Sequence, residues 1–119
     1  FSVVDSETRA DLLESGRYPV DGIGIYYLYN HERNDLIINE EGNPDGNYIE
    51  LFTTQLPMVS LTGRSETFFL VLDIEDTDTL QVVMGREIRD GCDYHPYKIV
   101  KHNGKNLPAE EGKSFILEK

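Results

Sequence analysis

Apolar residues recur along this chain in short alternating runs separated by clusters of turn formers, the pattern of β-strands at regular spacing. The clearest pair is Phe68-Phe69-Leu70-Val71-Leu72 and Leu80-Gln81-Val82-Val83-Met84, joined across the acidic turn Glu75-Asp76-Thr77-Asp78. β-branched and aromatic residues on both sides of a short polar connection predict an antiparallel hairpin. Ile23, Ile25, Tyr27 and Tyr29 share one face at period two, with Gly24, Tyr26 and Leu28 on the other, so a central strand covered on both sides is expected. After a polar turn from Asn30 to Asp35, Leu36-Ile37-Ile38 reads as a strand, and so does the alternating run from Tyr48 to Thr54. Pro57 breaks that run, leaving Met58-Val59-Ser60-Leu61 as an edge strand before Gly63. Tyr97 to His102 is closed by Asn103-Gly104, a dipeptide suited to a type I′ turn because both positions tolerate positive φ. Ser114 to Glu118 supplies a last strand.

Helical spacing is suggested only near the start, where Asp5 or Ser6 caps a segment with acids in its first turn and Gly16 at its end. Seven to nine short strands predict an all-β, two-sheet antiparallel sandwich of immunoglobulin-like type. The 119 residues make one domain, with a helical N-terminal extension over residues 1–17.

Charge narrows the partners. The chain carries a net charge of −11, and all five lysines lie from Lys98 onward. Before that point six arginines face nineteen carboxylates. Such a surface repels phosphate, which argues against nucleic acid and anionic lipid, and it accommodates a basic protein or a divalent cation more easily; its main expected role is to keep a β domain soluble and to discourage edge-to-edge pairing. No apolar run approaches the ~20 residues of a membrane-spanning helix. The sequence opens on Phe1, which reads as a processed or trimmed chain. Cys92 is the single cysteine and excludes an intramolecular disulfide; a buried, unreactive thiol is expected, although His95 stands three positions away.

No nucleophile elbow, phosphate loop or histidine pair of zinc spacing occurs, so no catalytic residue is expected. Asp76 and Asp78, with Asp73, Glu75, Thr77 and Thr79 around them, are the best candidates for calcium, because alternate positions project to one side and calcium takes clustered oxygens. Glu40 and Glu41 with Asn43, Asp45 and Asn47 form a second acidic turn of the same kind. The glycine that completes an EF-hand loop is missing, so the expectation is no cofactor, with Ca²⁺ as the one ion to test. Tyr94, His95 and Tyr97 gather aromatic surface at a Pro96-containing loop and are the candidate binding residues for a protein or a glycan.

The segments Asp76-Thr77-Asp78-Thr79-Leu80, Gly91-Cys92-Asp93-Tyr94 and Tyr97 to Lys105 give the chain from about Thr67 to Lys119 a family likeness. This half resembles small uncharacterised exported β-sandwich proteins of Bacteroidetes-type bacteria, many of them lipoproteins. The resemblance implies an immunoglobulin-like fold and export to the periplasm or cell surface, allows a lipid anchor, and transfers no catalytic residue. The expected function is a non-enzymatic binding or structural module at the cell envelope. The alternatives are an acidic inhibitor or immunity protein for a basic partner, and a glycan-binding domain. Oligomeric state is left open by the sequence.

Overall fold

Three two-residue turns set the register of the strands, each with positive φ at both central positions: Asn30-His31, Asp90-Gly91 and Asn103-Gly104. That conformation matches the right-handed twist of the strands it joins, and Asn, Asp and Gly tolerate it best. The structure, a computed structural model, describes residues 1–42, 49–108 and 115–119. Its strands are β1 (Ser2–Val4), β2 (Gly24–Tyr29), β3 (Glu32–Leu36), β4 (Asn39–Gly42), β5 (Ile49–Phe52), β6 (Thr67–Asp73), β7 (Asp76–Met84), β8 (Glu87–Arg89), β9 (Cys92–Tyr94), β10 (Tyr97–His102), β11 (Lys105–Asn106) and β12 (Ile116–Glu118). Among the described residues there is one α-helix, α1 (Gln55–Leu61), between β5 and β6.

The chain is thus mostly β. Six strands form an antiparallel sheet in the order β11-β10-β7-β6-β2-β3, while β1-β12, β4-β5 and β8-β9 form two-stranded ribbons, the first of them parallel. No second sheet of comparable size forms among the described residues. The apolar face of the large sheet is covered instead by ribbons, the helix and the N-terminal turns. Period two decides which side chains point there: Ile25 and Tyr27, then Phe68, Leu70 and Leu72, then Leu80 and Val82, and Val100 are all buried. Val3, Leu13, Tyr18, Leu51, Leu56, Val59 and Leu117 close over them. Each fully buried Leu or Phe adds about 2 kcal/mol of burial free energy, so this layer carries most of the stability.

Two expected elements are replaced. The segment from Met58 to Leu61 is helical rather than an edge strand. Pro57 sits in the first turn of α1, where a helix needs no backbone donor, and so permits the helix it was expected to forbid. Leu56, Val59 and Ser60 fall on one side and are buried. Gly63 (φ 77°) ends the helix in a Schellman turn, in which Arg64 N donates to Val59 O and Gly63 N to Ser60 O, both at 3.1 Å. The Ser60 hydroxyl donates to Val82 O at 2.7 Å and pins α1 to β7.

The N-terminal helix does not form. The Asp5 carboxylate accepts the amides of Glu7 (2.9 Å) and Thr8 (2.8 Å) as a capping residue would, but Arg9 then turns to φ 64°. The chain doubles back, with Asp5 N donating to Ala10 O and Leu12 N to Val3 O. Asp11 bridges Val4, and its carboxylate accepts the amides of Leu13, Glu14 and Ile49. Aspartates that could start a helix are spent closing turns.

The polar turn after β2 is also shorter than expected. Glu32 to Asp35 belong to β3, the edge strand, whose outer position suits charged residues that discourage further pairing. On the second side of β2 the expected cover is partial among the described residues: Tyr26 is half-buried, stacked on Phe69 with ring centroids 5.0 Å apart and lying 4.1 Å under the Arg33 guanidinium, and Leu28 is exposed.

Candidate functional site

Asp76 and Asp78 lie on β7 itself rather than in the turn before it, which consists of Ile74 and Glu75. Strand alternation therefore aims both carboxylates along the side that carries Leu80 and Val82. Asp78 is 3% exposed. A carboxylate that deep needs a partner, and the fold brings it two. Lys119, next to β12, donates from Nζ to Asp78 Oδ1 at 2.7 Å and to Asp76 Oδ1 at 3.0 Å. His102, the last residue of β10, lies with Nε2 2.6 Å from Asp78 Oδ2; the carboxylate accepts, so the proton sits on Nε2. The Tyr18 hydroxyl donates to Asp76 Oδ2 at 2.7 Å and completes the ring of donors. Asn103 anchors the turn beside it, its Oδ1 accepting from Thr79 N and its own N donating to Thr79 O, both at 2.8 Å.

Burial alone would push the Asp78 carboxyl upward, but hydrogen bonds from Lys119, His102 and Asn103 outweigh it and hold the group below the usual carboxylate range. Burial likewise pulls the Lys119 ammonium down, and its bonds to Asp78 and Asp76 raise it above its ordinary value. Tyr18 is raised by burial and by the Asp76 carboxylate it bonds. The oxygens expected to receive calcium are thus already engaged with an ammonium and an imidazole. Among the described residues no group of three or more His, Cys, Asp or Glu side chains has the arrangement of a metal site. Asn43, Asp45 and Asn47 lie outside the described residues.

His102, Asn103 and Lys119 also line a groove of about 650 Å³, together with Arg9, Lys105 and Phe115. Its cations are answered by carboxylates: Arg9 pairs with Glu118, and Lys105 lies 3.9 Å from the same side chain. Both pairs are exposed and add little to stability.

Tyr94, His95 and Tyr97 are placed in sequence order but take different surroundings. Tyr94 ends β9, and the Arg89 guanidinium sits 4.3 Å over its ring. His95 is half-buried, with Nδ1 enclosed and unbonded. Tyr97 begins β10 and meets Phe115 edge to face at 5.1 Å; burial raises its hydroxyl above the usual tyrosine range. The two tyrosine rings thus lie against different partners. Cys92 is exposed on the β8-β9 ribbon, correcting the expectation of a buried thiol. Its ribbon is held by Arg86, which is bonded to both oxygens of Asp93 at 3.2 Å.

Lys119, His102 and Tyr18 were not singled out from sequence. The available signal was the alternation Asp76, Asp78, Leu80, Val82, which places two acids on a buried face and demands distant partners without naming them. A different feature is found where the 3-10 turn Val20–Gly22 meets β4 and β5. There Asp21 and Glu40 flank a pocket of about 360 Å³ whose remaining walls are Val20, Ile23, Leu36, Ile38 and Leu51. Compared with known proteins, the chain matches no family model, no curated protein and no solved structure.

Proposed function

We propose that this chain is a non-enzymatic, exported binding module of the cell envelope, which meets a partner protein through its surface and uses its buried polar groups to hold its fold. The observation that carries this reading is the engagement of Asp78. The best placed acid–base pair, Asp78 with His102, is buried, and Lys119 takes the other oxygen of the carboxylate. A general base needs a free lone pair within reach of substrate, and this carboxylate spends its oxygens on the fold. In the same reading the layering is sandwich-like, with ribbons and α1 standing where an immunoglobulin-like domain has its second sheet.

Fractionation of cells expressing the full-length gene tests the envelope assignment. The protein is expected in the periplasmic or membrane-associated fraction with its start processed. Recovery from the cytosol alone, with the initiator methionine retained, contradicts it.

The second reading, an acidic inhibitor of a basic partner, is favoured by the charge distribution, since residues before Lys98 hold nineteen carboxylates against six arginines. Attraction of that kind accelerates association and fades with salt.

A further inference from the structure

We infer that the apolar pocket behind Phe52 and Tyr97 is a binding site for an uncharged ligand the size of a single aromatic ring. The inference concerns the interior of the fold and does not depend on the surface reading proposed above. Three features carry it: the space, its lining and the aiming of Tyr97.

The space lies between the apolar face of the large sheet and the layer that covers it. Val82 and Val100 are directly paired across β7 and β10, so two short side chains stand side by side on that face. Leu56 of α1 and Leu117 of β12 line the same pocket from the covering layer. The volume left between them is about 120 Å³. An engineered cavity of roughly 150 Å³ lined by Leu, Ile and Phe stays dry and takes up benzene. Walls around an unfilled space of this kind forfeit dispersion contacts that a ring restores.

The lining selects against charge. Every lining residue but Thr53 is aliphatic or aromatic, and none is charged. The Thr53 hydroxyl is engaged locally, accepting the Gln55 amide at 3.3 Å. A charged group placed there loses its hydration with nothing to replace it. The rim is open to solvent: Phe52 is 41% and Tyr97 39% exposed, while Leu56, Leu80 and Val100 behind them keep 6 to 7%.

Tyr97 reaches the pocket through an irregularity in β10. Val100 pairs with Val82 and Ile99 with Val83, and strict alternation from there would send Tyr97 to the outer face with Ile99. The register shifts between Tyr97 and Ile99, and Tyr97 pairs instead with Met84, two positions from Val82 on the inner face. Bulges of this kind re-aim a side chain and recur next to active sites. The turned ring packs edge to face on Phe115, which gives the pocket an aromatic side.

The test follows the methyl resonances of the full, methyl-labelled chain with two probes, benzene and benzylammonium. Benzene is expected to shift Leu56, Leu80, Val82 and Val100 saturably, whereas benzylammonium, which the acidic surface attracts, is expected to leave them in place. Val100→Phe puts a ring into the space and is expected to weaken benzene binding about tenfold or more. Val82→Leu, a smaller filling, gives the same readout where Val100→Phe does not fold. Absence of saturable shifts from benzene would overturn the inference and reduce the pocket to a packing gap. So would equal shifts from benzylammonium, or unchanged benzene affinity in a folded filling variant. If neither variant folds, the two probes on the native chain decide. The methyl shifts report on the interior alone, so their failure would leave the envelope and partner reading standing, and failure of that reading would leave the pocket.

Discussion

Lys119 answers two carboxylates at once, and its loss is the most informative single change. Removing one partner of a buried pair leaves the other charged without compensation, which costs about 3 kcal/mol or more, whereas a surface pair costs under about 1 kcal/mol. Lys119→Ala is therefore expected to lower the unfolding free energy by about 3 kcal/mol in denaturant titrations. Arg33→Ala, which breaks the exposed pair with Asp35, is expected to change it by less than about 1 kcal/mol. The pH dependence has a definite sign. Because folding lowers the Asp78 carboxyl, its contribution is complete above the unfolded value of ~3.9 and is lost as pH falls through the lower folded value. Because folding raises Lys119, its contribution is complete below ~10.4 and is lost as pH rises through the higher folded value. Thermal scans are expected to show stability falling away on the acid side of the lower limit and on the alkaline side of the upper one, and Asp78→Asn should flatten the acid side. Millimolar Ca²⁺ is expected to leave the melting temperature of the native chain unchanged, since Lys119 already holds the oxygens; an upward shift abolished by Asp76→Ala and Asp78→Ala would contradict this. At this scale the sequence shows that Asp76 and Asp78 act together, because alternation is local. It does not show their partners, because Tyr18, His102 and Lys119 arrive from turns and strands far along the chain.

Among the elements, legibility follows how local the cause is. The β6-β7 hairpin is readable because runs of β-branched and aromatic residues flank a short acidic connection, and the Asn103-Gly104 turn because positive φ is written in its residue types. The α1 helix is not, because Pro57 after an alternating run reads as a strand breaker although the first turn of a helix tolerates it. Leu56, Val59 and Ser60 at helical spacing, followed by Gly63, were the signals that could have revealed it. The opposite error fell on residues 5–16, where Asp5 and Asp11 satisfy amides in turns and the chain pairs with β1 instead of winding. The helix account makes its own prediction. Gly63→Ala forces a side chain into positive φ and is expected to cost about 1 kcal/mol. Leu56→Ala, which empties a buried position of α1, is expected to cost about 2 to 4 kcal/mol. A gain in stability from either would show that α1 does not close the core as described.

For the molecule as a whole, β content was legible while the layering was not. Two-sheet packing and one large sheet covered by ribbons share the same period-two code; what separates them is strand pairing, which depends on contacts such as the parallel match of β1 with β12 near the two ends of the sequence. The separation of charge is likewise a property of the whole, and it gives the binding reading its kinetic signature: association with a basic partner should slow steeply as salt is raised. Both the fold and the functional reading rest on Asp78 being spent on structure. Carbon-13 titration of its carboxyl group by NMR measures that directly. The midpoint is expected below that of an ordinary aspartate in the native chain and to move upward in Lys119→Ala, where burial acts with one donor fewer. A midpoint at or above the ordinary value in the native chain, unaffected by Lys119→Ala, would contradict the account.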